Sequence, residues 1–297
     1  MEKVSVKKNK LKVAIIGSGN IGTDLLIKCL RSELLDCTFF IGRSLSSPGI
    51  AKAKSLGVKI SDQSIQAIVN EPDSCDLVFD ATSAKDAIRN WAVLKPMNKV
   101  VVDMTPAKIG IMCIPAVNIE EAVSHQNINM VTCGGQASVP IAHVIGNAIK
   151  DIAYIEVVSS IASRSAGPAT RANLDEYIET TEAAIKKFSN ANTTKAILNL
   201  NPAFPCIDMQ TTIFAKVKDP DMKSLLPQIE AMVKKIKAYV PGYNLLVQPI
   251  YEHGRIAIMV KVQGLGDYLP KFAGNLDIIN CAAIAVAERF AEKRNRS

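Results

Sequence analysis

The sequence predicts an α/β protein in two parts, a doubly wound parallel sheet followed by an α+β segment with a mostly antiparallel sheet. Three observations carry this. Through about the first 150 residues, short apolar runs alternate with helical patterns, as a parallel sheet requires. A glycine turn separates the first run from the first helical pattern. Beyond that point the apolar runs lengthen and the helices between them become fewer, the pattern of an antiparallel sheet with helices on one face.

The elements follow in order. LKVAII, residues 11–16, is a buried strand; GSGNIG turns the chain; TDLLIKCLRS reads as a helix. Strands are next expected at CTFFIG, CDLVFDAT, KVVVDMTP and INMVTC, with a helix at SAKDAIRNWAVL. In the second half, AYIEVVSSIAS, KAILNL, TTIFAKV and RIAIMVKVQG read as strands, and LDEYIETTEAAIKKF and MKSLLPQIEAMVKKIKAYV as helices. The last helix, NLDIINCAAIAVAERFAEK, is apolar enough to pack back on the first part. The resulting division is 1–133, a dinucleotide-binding domain; 134–273, a catalytic and dimerisation domain; and 274–297, the returning helix.

Composition limits the function classes. At 297 residues and 48% hydrophobic the chain can bury a full core. No apolar run approaches a membrane span, and the start, MEKVSVKKNK, lacks the apolar block of a secretory signal, so a cytoplasmic address is expected. Of the net charge of +7, residues 1–10 carry +3 and residues 292–297 carry +2. Aromatic residues are only 5%, and no basic stripe interleaves them, which argues against nucleic acid. The seven cysteines form no CxxC and no Cys/His cluster, so neither disulfides nor a metal is expected.

Two motifs carry chemistry. In Gly17-Ser18-Gly19-Asn20-Ile21-Gly22 the first glycine permits a tight turn, the second lets a pyrophosphate reach the backbone, and the third lets helix and strand pack closely. The phosphate then meets the positive end of a helix dipole. A Rossmann-type dinucleotide site follows. The acid usual at the end of the second strand is replaced by Ile41-Gly42-Arg43-Ser44; Arg43 is either a partner for a 2′-phosphate or adenine, or a solvated loop residue, so NAD and NADP both stay open.

Cys133, in MVTCGGQASVP, ends an apolar run and precedes two glycines and a helix expected over 136–150. A helix N-terminus lowers a thiol pKa, and the amides of Gly134 and Gly135 are expected to be free for an oxyanion. A thiolate there could add to an aldehyde and, after hydride loss to a nicotinamide, leave a thioester. The bland alternative is a small buried cysteine at a strand end. Cys29, Cys37, Cys75, Cys113, Cys206 and Cys281 read as core or loop residues.

KVAIIGSGNIGTDL, VFDATSA, NMVTCGGQASVP, SRSAGPATRANLDEY, YVPGY and YLPKFAGNLDI together resemble the acylating acetaldehyde dehydrogenases, partners of 4-hydroxy-2-oxovalerate aldolases in aromatic catabolism. The resemblance implies a Rossmann domain plus an α/β dimerisation and catalytic domain. It also implies a homodimer that oxidises acetaldehyde with NAD and coenzyme A to acetyl-CoA. By position, it makes Cys133 the acyl-thioester nucleophile and Ser18 to Ile21 the cofactor loop. It makes Ser165, Ala166, Gly167, Pro168, Ala169, Thr170, Arg171, Ala172 and Asn173 a further nucleotide contact, and Asn275 the residue at the nicotinamide end. The plainer alternative is that Asn173, with Glu176 as its capping box, and Asn275 are helix caps.

Departures from the family are also legible. Where the family shows Met-Arg-Asp-Thr, this chain has Met209-Gln210-Thr211-Thr212, so Thr211 stands where the family's aspartate assists acid–base steps. Asp208, three residues earlier on a strand, would face the other way, and His253 reads as a solvated loop residue more readily than as a base. The segment after YVPGY looks shorter than in the family. These departures leave two alternatives: a related semialdehyde or acyl dehydrogenase with another substrate, and a weakened nucleotide-binding partner of an aldolase.

Overall fold

The computed structural model describes residues 10–296, apart from the side chains of Pro168 and Ala169. In chain order the first part holds β1 (Leu11–Ile16), α1 (Asn20–Arg31), β2 (Leu35–Ile41), α2 (Pro48–Ser55), β3 (Ile60–Ser61), α3 (Gln66–Asn70) and β4 (Leu77–Asp80). It continues through α4 (Ala84–Leu94), β5 (Val100–Asp103), β6 (Ile111–Met112), α5 (Pro115–Ala122) and β7 (Asn127–Asn129). The second part comprises α6 (Cys133–Ala148), β8 (Tyr154–Ala162), α7 (Pro168–Ala172), α8 (Leu174–Ser189), β9 (Thr193–Asn201), β10 (Met209–Lys216), α9 (Met222–Lys237), β11 (Tyr243–Glu252), β12 (Arg255–Val262) and α10 (Gly274–Arg294).

The first seven strands form one parallel sheet in the order β3-β2-β1-β4-β5-β7-β6. Strand order reverses between β1 and β4, and a crevice opens there beyond the strands' carboxyl ends. Runs such as LKVAII are buried on both faces, which is why they show no alternation. One face packs under α1, α5 and α10, through Leu25, Ala122 and Val286; the other packs under α3 and α4, through Ile68 and Leu94.

The remaining strands form a sheet in the order β11-β12-β10-β8-β9, antiparallel except for the β8/β9 pair. Inward residues of β8, β10 and β12 meet α6, α8 and α9, and the alternating burial along these strands leaves the opposite face half-exposed. α10 joins the two cores: Ile278 and Cys281 belong to the second, Ile279, Ala282 and Val286 to the first. The predicted fold class is therefore the observed one.

One local expectation fails. INMVTC is extended only at its start, because β7 ends at Asn129 and Val131 takes φ +61°. That left-handed residue turns the chain out of the sheet, and the helix begins at Cys133 itself, three residues before the expected start at Gln136.

Candidate active site

At the end of β1, Gly17 has φ +118°, and a side chain there would also meet the Ala81 carbonyl at 2.4 Å. α1 starts at Asn20, with no side chain capping it, so its first amides face the crevice mouth as an anion would need. Around Gly19 there is open space for a ligand. Gly42 of the β2 end packs on Ser18, which puts exposed Arg43 beside this loop.

The loops after β4 and β5 form one wall of the crevice. Asp80 holds the first by accepting from the Thr82 amide and hydroxyl, and Asp103 holds the second by accepting from the Thr105 amide at 2.8 Å and hydroxyl at 2.7 Å. Asn129 also donates to Asp103 at 3.2 Å. Burial pushes the Asp103 carboxyl up to about 7, against the pull of its Thr105 and Asn129 bonds. Thr82, Ser83, Ala84, Met104, Thr105 and Pro106 thereby line one side of the crevice.

Cys133, Thr170, Asn173, Tyr177 and Asn275 line the other side, with Ile21 from the glycine loop. Of the residues singled out by sequence, the crevice thus gathers Ile21, Cys133, Thr170, Asn173 and Asn275. Gly17, Ser18, Gly19, Asn20 and Gly22 sit at its approach. Ser165 and Arg171 do not reach it: Ser165 Oγ donates to the Ala162 carbonyl, and Arg171 donates to the Ala166 and Ser163 carbonyls. These two residues build the α7 turn instead of offering free donors. Ala166 is buried beneath that turn, while Gly167 and Ala172 bound it.

Neither asparagine behaves as a cap. Asn275 lies inside the first turn of α10, is 1% exposed, and its Oδ1 has no hydrogen-bond partner. Asn173 sits at the start of α8 but makes no capping bond with its side chain. An orphaned buried amide oxygen in a crevice wall is a polar group that a ligand can satisfy.

Cys133 is half-buried at the first position of α6, with Thr132 as the cap: Thr132 Oγ1 accepts from the Gly135 amide at 2.9 Å. The Gly134 amide donates to Tyr177 Oη at 3.0 Å. The two amides expected to be free for an oxyanion are therefore both engaged. The glycines have a packing reason too, since a side chain at Gly134 would lie 2.2 Å from Tyr177 Oη. The thiol lies 3.6 Å from the same oxygen. Burial pushes the Cys133 thiol up, contrary to the expected lowering, while Tyr177 and the amides of Gly134 and Cys133 pull it back.

Tyr177 was missed by sequence reasoning. A signal existed: Tyr177, Thr180 and Thr181 put three hydroxyls on the buried stripe of α8, where an apolar stripe is the rule. Thr211 is 0% exposed on β10 and pairs with Ser159 Oγ at 3.0 Å. Asp208 lies before β10, near Lys261 at 3.7 Å, and His253 is exposed in the β11/β12 turn. Among the described residues no cluster suited to a metal occurs, and no helix is long and apolar enough to cross a membrane.

A glycine turn and a crevice at the switch point of a doubly wound parallel sheet define the class, a nicotinamide-linked oxidoreductase of Rossmann type. Comparisons agree. A family model described as prokaryotic acetaldehyde dehydrogenase, dimerisation, matches residues 133–270. An acetaldehyde dehydrogenase of Pectobacterium atrosepticum is 60% identical over 96% of this chain and 97% of its own length. One from Spirochaeta aurantia is 58% identical over 95% of each chain. The chain belongs to the acetaldehyde dehydrogenase family. The fold is shared with aspartate semialdehyde dehydrogenase II of Vibrio cholerae, complexed with ASA, at TM-score 0.63 and 17% identity over 97% of this chain and 99% of that one. The Candida albicans aspartate semialdehyde dehydrogenase with NADP gives TM-score 0.66 at 12% identity, again over 97% and 99%.

Proposed function

We propose that this protein oxidises acetaldehyde, or a similarly short neutral aldehyde, to its coenzyme A thioester with NAD or NADP, through a thioester on Cys133. The observation that carries the reading is Cys133 at the start of α6, in one crevice wall with the orphaned amide of Asn275. Among the described residues the crevice lining contains no Lys or Arg, which favours an uncharged aldehyde over a semialdehyde bearing a carboxylate.

In this reading residues 17–22 and the start of α1 receive the pyrophosphate, with Arg43 beside the adenine ribose. Asn275, with its unpartnered Oδ1, would hold the nicotinamide end, and Thr170 and Asn173 would flank it. A bound nicotinamide supplies the hydride acceptor. Cys133 attacks the aldehyde carbon as a thiolate; the C–S bond forms while the carbonyl pair moves to oxygen. Loss of hydride restores the carbonyl as a thioester. Cys133 then leaves as a thiolate when the thiol of coenzyme A takes over the acyl group. Apolar Met104, Pro106, Leu276 and Ile279 keep water from that thioester.

We further read residues 1–133 as the dinucleotide-binding domain, 134–273 as the catalytic and dimerisation domain, and 274–297 as the helix that returns to the first. The half-exposed face of the five-stranded sheet suits a homodimer. A 4-hydroxy-2-oxovalerate aldolase partner and a cytoplasmic location, where seven free thiols stay reduced, complete the reading.

The test is NAD(P)H formation from acetaldehyde and coenzyme A by the wild type and by Cys133→Ala. Loss of activity is expected. Equal rates would remove the nucleophile, and acylation of Cys133 by acetyl-CoA, seen as an added acetyl mass on the intact protein, checks the second half independently.

A further inference from the structure

The sulfur of Cys133 faces a line of buried hydroxyls. Tyr177 Oη lies 3.6 Å from Sγ, Ser159 Oγ and Tyr177 Oη crowd the same side of Gly134, 3.1 Å and 2.2 Å from where a side chain there would begin, and Thr211 Oγ1 is 3.0 Å from Ser159 Oγ. The four groups come from α6, α8, β8 and β10, so the line is assembled only by the fold. Among the described residues Thr211 makes no other side-chain hydrogen bond.

Hydrogens and lone pairs can be counted along this line. Tyr177 Oη already accepts from the Gly134 amide at 3.0 Å. If Ser159 fills its second lone pair, the hydrogen of Tyr177 has one place to go, the sulfur. With a thiolate, three hydroxyl hydrogens fill three links, Thr211 to Ser159, Ser159 to Tyr177, Tyr177 to Sγ. With a thiol there are four hydrogens for three links. A thiol donating to Tyr177 turns the line round and strands the Thr211 hydrogen at a 0% exposed position.

We infer that Tyr177 is a catalytic residue that donates its hydroxyl hydrogen to the Cys133 thiolate, and that Ser159 and Thr211 are positioning residues that aim it there. The inference rests on Cys133 being the nucleophile. Tyr177 keeps its proton throughout: its bond to sulfur weakens as the sulfur pair forms the C–S bond, and strengthens when that pair returns to sulfur on acyl transfer. Aligned donors reinforce one another, so the outer hydroxyls act through Tyr177. No other titratable group intervenes. The crevice lining from α1, α6, α8, α10 and the loops after β4 and β5 holds no Lys, Arg, His, Asp or Glu among the described residues.

The experiment is the pH dependence of iodoacetamide labelling at Cys133 in the full-length protein, followed by mass spectrometry of its peptide. Tyr177→Phe is expected to raise the midpoint by about one pH unit, a roughly tenfold loss of thiolate at fixed pH or ~1.4 kcal/mol. Ser159→Ala and Thr211→Val should raise it by about half a unit, roughly threefold, and Thr211→Ser should restore the wild-type midpoint. An unchanged midpoint in Tyr177→Phe overturns the inference. So does a lowered midpoint in Ser159→Ala or Thr211→Val, which would mean that the hydrogens run away from sulfur. Should Tyr177→Phe fail to fold, the contrast of Thr211→Val with Thr211→Ser decides by itself. Wild-type NAD(P)H formation by Cys133→Ala would remove the nucleophile whatever the midpoints do, whereas an inactive Cys133→Ala with unmoved midpoints removes the hydroxyl line alone.

Discussion

The main-chain amide of Gly134 donates to the hydroxyl of Tyr177 at 3.0 Å, and there is no room between them for a methyl group, which would sit 2.2 Å from that oxygen. Gly134→Ala should therefore drive Tyr177 away from Cys133. Alanine gains about 1 kcal/mol of helix propensity over glycine, but overpacking a closed site costs about 1–3 kcal/mol, so the clash wins. The expected result is a modestly lower melting temperature with kcat down at least about tenfold, since the hydrogen bond lost is one to a charged sulfur. Steady-state kinetics beside a thermal melt checks this, and unchanged kcat would mean that the Tyr177 position is immaterial.

The contrast between what the sequence disclosed and what it hid has a physical basis. LKVAII, the glycine turn and the next helix are consecutive, so their periodicity and φ preferences announce the first βαβ unit directly. Cys133 was conspicuous because its neighbours along the chain are unusual. Tyr177 is 44 residues from Cys133, and its partners Ser159 and Thr211 lie on two different strands. No local pattern encodes such a meeting. The fate of the Gly134 amide was hidden for the same reason, since its acceptor is Tyr177; that of Gly135 was legible, because its acceptor Thr132 is an N-cap residue three positions earlier. Val131 hid the helix start, since a β-branched residue at φ +61° reads from sequence as strand.

Lys28 ties the two ends of the chain together. Its ammonium lies 2.6 Å from Asp24, 3.0 Å from Asp267 and 2.9 Å from Asp277, so α1 is joined to α10 and to the segment before it. Burial opposes the charge on Lys28, but Asp277 and Asp24 outweigh it and raise its pKa. Replacing Lys28 by Met would leave Asp24 and Asp277, 1% and 3% exposed, without their cation. Removing one member of a buried ionic group costs about 3–5 kcal/mol, so urea unfolding should show a loss of that size. The signs with pH follow. A raised lysine contributes stability that is complete below its unfolded pKa of about 10.4 and disappears only as pH rises through the higher folded value. Asp267 is lowered despite burial by Arg31 and Lys28, so its contribution is present above about pH 4 and is lost as pH falls through its folded value. A wild type no more stable than Lys28→Met at pH 7 would refute this account.

Asp103 works in the opposite sense. Its carboxyl is pushed by burial up to about 7, above the unfolded value of about 3.9, so ionisation disfavours the folded state. The penalty is fully present above about pH 7 and is removed as pH falls towards 4. The wild type should accordingly gain stability relative to Asp103→Asn as pH falls from about 8 to 5, a change that sets in near the folded value of about 7 and continues towards 4. Melting temperatures of both proteins across that range read it out. Since Asp103 holds the Thr105 amide and hydroxyl, and Thr105 lines the crevice, cofactor affinity should follow the same titration. A pH-independent difference between the two proteins would show that Asp103 does not titrate there.

Asn275 distinguishes a binding residue from a structural one. A buried asparagine usually repays its desolvation through hydrogen bonds, and truncating it then strands its partners at about 1–3 kcal/mol. Asn275 is 1% exposed, yet its Oδ1 has no partner among the described residues. It already bears an unmet desolvation cost, which a ligand amide would relieve. Asn275→Ala should therefore leave the unfolding free energy of the free protein within about 0.5 kcal/mol of wild type, with its melting temperature little changed, while a bound dinucleotide loses a hydrogen bond and about tenfold in affinity. NADH fluorescence titration beside a melt of the unliganded protein separates the cases. A large drop in melting temperature with unaltered NADH affinity would assign Asn275 to the packing of α10 and leave the nicotinamide end of the crevice without its polar anchor.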